Sequence, residues 1–304
     1  MSTAQQTEID NYAKQNGIEG LTQPSLISIL NGETGYSIET AKSFLRFQQR
    51  INKELLKHSI ITSNQFTRWF QAGDITEHQV REFIIQFSVF SNLFLIAQLN
   101  KMINADNLEG MRASKEILAN EIGVVFKNAS ALKKENQTDS VTDPELVSTQ
   151  GTVEGGTFRF KAAHFEWLLL ISEKLGLSFE QVGKRRHGSQ STLFFCDELV
   201  RLYGSEDYLT SQAASYAVEN WAAAGFWDEL VEGFEKFNHR TGMNLPLAFF
   251  SWHARLEAQH ALHTQEELEE LYFARDIDED RFIAVGNEML DGVAAFWDGL
   301  YRSR

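Results

Sequence analysis

Apolar side chains recur along this chain at intervals of three and four residues, in blocks separated by short polar or glycine-bearing stretches. That period is the signature of amphipathic helices. Residues 1 to about 40 are polar, with Gly17, Gly20, Pro24, Gly32 and Gly35 as breakers. They predict short helical turns in an N-terminal extension that packs on a larger domain. Ser37-Ile38-Glu39-Thr40 reads as a helix start, and Ala41 to His58 carries Phe44, Leu45, Phe47, Ile51, Leu55 and Leu56 at helical spacing. Thr62-Ser63-Asn64 opens a short helix through Phe66, Trp69 and Phe70. Asp74-Ile75-Thr76-Glu77 caps a long one, from about His78 to Ile103, that is apolar over most of its surface. A helix apolar nearly all round is buried among others.

A further helix is predicted over about Leu108 to Phe126, after which Lys127 to Gly156 turns polar and ends in Gly155-Gly156. A connection of that length is an insertion with its own role or no fixed structure. Helices resume at about Thr157 to Leu175, Ser178 to Leu202, Ser211 to Phe237, Leu245 to Ala274 and Asp278 to Tyr301. No repeat and no alternating strand pattern of any length is present. The expected architecture is all-α, a bundle of about seven to nine helices. It comprises an extension over 1–45 and a helical domain over 46–304 with a polar insertion at 127–156.

Composition narrows the function classes. Proline is scarce, at 3 among 304 residues, which suits long helices. The single cysteine, Cys196, excludes a disulfide framework and a cysteine metal knuckle and fits a reducing cytoplasm. The N-terminus is polar, without an apolar signal core. No run of about 18 apolar residues is present, so no membrane span is expected. A net charge of −14 argues against a nucleic-acid partner, which needs a basic face.

Chemistry concentrates in Trp252 to His263. His253, Glu257 and His260 stand at i, i+4 and i+7, within roughly 60° of one another on one helix face. Imidazole and carboxylate together suit iron, manganese or zinc. The flanking Leu245, Leu247, Phe249, Phe250 and Trp252 are apolar, which argues against a merely solvated polar face. Three more ionisable residues sit where a helix should be apolar: Glu121 among Ile117, Leu118, Val124 and Val125; His164 among Phe160, Trp167 and Leu168; and Glu219 near Tyr216, Ala222 and Ala223. An unpaired buried charge costs several kcal/mol, so such residues need a partner or a metal. Three carboxylates and three histidines are the ligand count for two irons with positions left open for O2. Glu257–His260 is the only Glu-x-x-His in the chain, whereas ferritin-like di-iron bundles use two. Neither a His-Glu-x-x-His zincin motif nor a Gly-rich phosphate loop nor a Gly-x-Ser-x-Gly elbow occurs. His58, His78, His187, His239 and His263 read as helix-end or polar-run residues.

Several segments carry a resemblance. They are His253-x-x-x-Glu257-x-x-His260; Tyr216-Ala217-Val218-Glu219-Asn220-Trp221, whose Glu219 lies 34 residues before His253; Asn120-Glu121-Ile122-Gly123; Ala163 to Leu169; and Phe296-Trp297-Asp298-Gly299-Leu300. On these, roughly residues 60 to 304 resemble the haem-oxygenase-like di-iron oxidases, iron-containing relatives of the TenA and PqqC-type helical proteins. The resemblance implies a seven-helix haem-oxygenase-like bundle, often a homodimer, with no nucleic-acid or membrane partner. It implies two iron ions, cycling between Fe(II) and Fe(III), on Glu121, His164, Glu219, His253, Glu257 and His260, with Glu219 able to bridge. O2 would be the co-substrate and an external electron donor a partner. The substrate would be an amino acid, fatty acid or related organic acid, undergoing N-oxygenation, desaturation or C–C cleavage in a biosynthetic pathway. Phe250, Trp221 and Phe226 would shape its pocket, and Arg255 or Lys161 would pair with its carboxylate unless they are plain surface cations. One departure stands out: Glu121 and His164 are 43 residues apart, where the family keeps them within about ten. Glu154 is the competing first ligand, disfavoured because Gly155-Gly156 interrupts any helix there. Two other readings are a metal-independent enzyme of the same fold and a non-enzymatic helical binding protein.

Overall fold

The computed structural model describes residues 3–128, 150–153, 156–160 and 163–304. Within these, the side chains of 3–5, 109, 120, 124–128, 150–153, 156–160 and 256–264 are outside the description. The chain runs α1 (Thr3–Asn16), α2 (Gln23–Leu30), α3 (Ile38–Glu54), α4 (Ser59–Thr62), α5 (Gln65–Gln71), α6 (Glu77–Ile103) and α7 (Leu108–Glu121). Three short strands follow: β1 (Val124–Asn128), β2 (Gln150–Val153) and β3 (Gly156–Phe160). Then come α8 (His164–Lys174), α9 (Gln190–Glu198), a π-helical turn (Leu199–Tyr203), α10 (Tyr208–Ala222), α11 (Phe226–Thr241), α12 (Ala248–Ala274) and α13 (Glu279–Ser303).

The helices start where side chains can satisfy their first amides. Ser37 accepts from Thr40 N, Asn64 from Phe66 N and Thr67 N, and Asp207 from Thr210 N. Thr76 and Gln79 form a reciprocal capping box at the head of α6. By length and composition α6 could cross a membrane, with a mean hydropathy of 1.5 over its most apolar stretch. It is instead the middle helix of the bundle, packed against α7, α8, α9 and the π turn, with Val80, Phe83, Ile84, Phe87 and Val89 buried. Phe83 and Phe87 are in ring contact with Phe250 and Trp297, and Phe83 also with Phe234, in a core of fully buried aromatics. The extension docks through Thr22, whose backbone N–H and hydroxyl both donate to Glu269 on α12.

The mainly helical architecture agrees with the apolar period; several boundaries do not. The helix expected to reach Phe126 ends at Glu121, because Gly123 takes φ +72 and releases Val-Val-Phe into a strand. The helix expected from Thr157 starts only at His164, after β3. β1 and β2 both pair antiparallel with β3, in the order β1-β3-β2, so the flanks of the polar insertion form a small sheet. Residues 129–149, and with Glu154 the rival first ligand, lie outside the described residues. The helix expected over Ser178–Leu202 resolves into two 3-10 turns, α9 and the π turn. The one expected over Ser211–Phe237 is two helices, broken at Gly225, whose φ of +87 suits glycine. The extension is more helical than its breakers suggest, α1 running for 14 residues.

Candidate functional site

Glu121 is the last residue of α7 and His164 the first of α8. The 43-residue gap between them is closed by strand pairing, since Val124, three residues after Glu121, is the ladder partner of Phe160, four residues before His164. Paired Cα atoms are roughly 5 Å apart, so the two helix ends are held side by side. Glu121 Oε2 then lies 2.9 Å from His164 Nδ1, the histidine side chain 6% exposed and the glutamate 17%. The approach lacks hydrogen-bond direction, and Nδ1 is a buried nitrogen with no hydrogen-bond partner.

His253 arrives from α12. Its ring meets that of His164 edge-on, with centroids 4.9 Å apart. His253 Nδ1 is 2.7 Å from the carbonyl oxygen of Phe249, one turn back on the same helix. A carbonyl can only accept, so Nδ1 carries the proton and Nε2 the lone pair. Aromatic rings wall both histidines. Trp252 is 4.5 Å and Trp167 5.4 Å from His164 between centroids, and Trp227 stacks on His253 at 4.5 Å with Phe249 at 4.3 Å.

Glu219 is half-buried on α10. Its charge is felt by Lys101 of α6 and Tyr203 of the π turn, both deep in the interior. Burial pushes the Tyr203 hydroxyl far above its ordinary range and the Lys101 amine below its own. Glu257 and His260 continue the His253 face of α12 in sequence, but their side chains lie outside the described residues. The structure therefore gathers Glu121, His164 and His253, and sets Glu219 beside a second polar cluster. Among the described residues no group of three or more His, Cys, Asp or Glu is close enough to hold a metal ion on its own.

The expected pocket residues shift by one position. Phe250 is fully buried and packs on Phe83 and Phe234, away from the histidines. Trp221 and Phe226 stack on each other, and Phe226 touches Trp227, so they form a layer behind it. The apolar rings nearest His253 are Phe249 and Trp227, with Trp252 beside them; the sequence pattern does not separate the first two from their neighbours. Arg255 is exposed, as a plain surface cation would be, and Lys161 is outside the described residues. Lys101, Tyr203 and Ser215 were missed. Their signal in the sequence is a lysine inside the most apolar helix.

The donor set fits a metal ion on two observations. Two ligand atoms at right angles around an ion, each about 2.1 Å from it, are about 3 Å apart. The undirected 2.9 Å approach of Glu121 to His164 matches that spacing. The protonated Nδ1 of His253, held by a backbone carbonyl, is the arrangement that orients a ligating imidazole.

No protein-family profile matches the chain, and no curated protein sequence does. Solved structures do resemble it. A domain of unknown function with a haem oxygenase-like fold from Shewanella denitrificans aligns at TM-score 0.55 and 15% identity, over 86% of this chain and 92% of that one. A CADD-like protein of unknown function from Nostoc punctiforme aligns at 0.54 and 16%, over 88% and 99%. A TenA homologue from Pseudomonas syringae aligns at 0.53 and 11%, over 84% and 92%. At these identities the likeness shows the fold, which is haem-oxygenase-like.

Proposed function

We propose that the chain is a non-haem di-iron oxygenase or oxidase that uses O2 to oxidise a small organic substrate, an amino acid, fatty acid or related acid. The supporting observation is the meeting of Glu121, His164 and His253 from three helices, across a 43-residue separation, inside an aromatic enclosure. Those three, with Glu257, His260 and Glu219, would hold the metal. Iron bound there would supply the electron-transfer chemistry that O2 activation requires.

The chain's own residues do the rest. The Phe249 carbonyl fixes the tautomer of His253, which puts the ring's lone pair on Nε2. Trp227, Trp252 and Trp167 exclude water around the imidazoles and sharpen every charge interaction in the enclosure. The same apolar walls suit the carbon skeleton of a substrate better than a hydrated ion.

The test is anaerobic loading with Fe(II), metal analysis, then mixing with O2 while following visible absorption. About two irons per chain and a transient band are expected, with both lost in His253→Ala. Iron bound in no fixed ratio, unaffected by His253→Ala, would refute the proposal. A metal-independent enzyme of the same fold is the second reading, supported by the fold shared with a TenA homologue. It predicts substrate turnover that survives chelation.

A further inference from the structure

Among the described residues Lys101 is the buried Lys or Arg, 8% exposed in the last turn of α6. Its Nζ lies 2.5 Å from Ser215 Oγ and 4.7 Å above the centre of the Tyr203 ring. Tyr203 sits at the end of the π turn, and its hydroxyl accepts from Gln98 Nε2 at 2.7 Å. A π turn inserted between helices commonly marks a functional position. A hydroxyl and a ring face orient an ammonium but do not neutralise it, and an unneutralised buried charge is costly. The carboxylates whose charges act on Lys101 are Glu267 on α12 and Glu219 on α10. Ser215 and Glu219 are four residues apart on α10, so the hydroxyl that anchors Lys101 and the carboxylate share one helix face.

We propose that Lys101 is the internal counter-cation of Glu219. In the metal-free chain its ammonium offsets the half-buried carboxylate. An arriving divalent ion competes with it for that carboxylate, while Ser215, Tyr203 and Glu267 keep the ammonium in place. Lys101 is thus a positioning residue that sets how tightly the site takes a metal. The competition half rests on the metal reading above; the pairing half does not.

Two measurements on the full chain test it. The first is a double-mutant cycle on the metal-free protein. Lys101→Met lowers the melting temperature, and adding Glu219→Gln to it restores part of the loss, because the carboxylate charge that Lys101 offset is gone. Additive losses would overturn the pairing. Lys101→Arg, which keeps the charge, provides a folded comparison if Lys101→Met is unstable, and the double variant provides another. The second measurement is calorimetric titration with Mn(II). Removing the competing cation tightens binding about tenfold in Lys101→Met. Binding that is unchanged or weaker overturns the competition. If Mn(II) binds His253→Ala as well as it binds the unaltered chain, the metal reading fails and takes the competition with it; the double-mutant cycle still decides the pairing.

Discussion

The buried carboxylate of Glu269 ties the N-terminal extension to the helix that carries His253, Glu257 and His260. It is fully buried and accepts from Thr22 N at 3.1 and 3.0 Å, from Thr22 Oγ1 at 2.5 Å and from Gln265 Nε2 at 3.1 Å. Thr22 is the N-cap of α2, so a side chain from another helix satisfies the first amide of α2. Glu269→Ala strands the Thr22 N–H and hydroxyl and opens a small cavity. Hydrogen bonds to a carboxylate are worth about 1.5–3 kcal/mol each, and removing the buried carboxylate recovers part of that as relieved desolvation; the net loss is about 3 kcal/mol. In a chain of 304 residues 1 kcal/mol moves the melting temperature by roughly 2 °C, so the expected drop is about 6 °C. Glu269→Gln keeps one acceptor oxygen and should lose less than half of that. Circular dichroism melts give the number, and limited proteolysis should show faster cleavage around residues 31–37, between α2 and α3. A Glu269→Ala melt within about 1 °C of the unaltered chain, with unchanged cleavage, would mean that the three donors find water as readily as they find the carboxylate.

Three further outcomes follow from the geometry. Gly233→Ala puts a methyl against the Phe70 carbonyl oxygen and ring where α11 crosses α5, and should cost about 2 kcal/mol in a denaturant titration despite the better helix propensity of alanine. Asp207, the N-cap of α10, has its carboxyl held below the ordinary range chiefly by Thr210 and then by Arg281. A carboxyl depressed in the folded state contributes stability above its unfolded pKa, near 3.9, and loses it as pH falls further. Asp207→Asn should therefore lower the melting temperature at pH 7, where the charged carboxyl and the cap are lost together, and flatten its fall below pH 4. Thr76→Ala breaks the capping box of α6 and should lower stability by about 1 kcal/mol, measured by thermal melts.

Much of the fold was legible because a bundle writes its packing as an apolar period, and the starts of α3, α5 and α6 were legible in their capping residues. What was not legible is where the period misleads. Val124 to Phe126 continues the apolar spacing of α7 on paper, and only the positive φ at Gly123 turns those residues into a strand. The Ala222–Phe226 stretch likewise reads as helix until Gly225 reverses it. In the site, Glu121, His164 and His253 could be named because a charge on an apolar face needs explaining. That they meet could not be read, since the sheet that joins Glu121 to His164 is built from strands too short to show alternation. The same logic reaches Lys101, a charge inside the most apolar helix.

The β1–β3 ladder has a consequence for how this site tolerates change. Because five paired positions, from Val124↔Phe160 to Asn128↔Gly156, clasp the two ends of the segment, the distance between Glu121 and His164 is set by the ladder and not by the length of chain that it closes into a loop. Closing such a loop costs only about 0.6 kcal/mol more for each doubling of its length. Spacing along the chain is therefore decoupled from spacing between Glu121 and His164. Residues could be excised between β1 and β2, or a folded module spliced in, with the clasp rather than the tether setting the distance between Glu121 and His164.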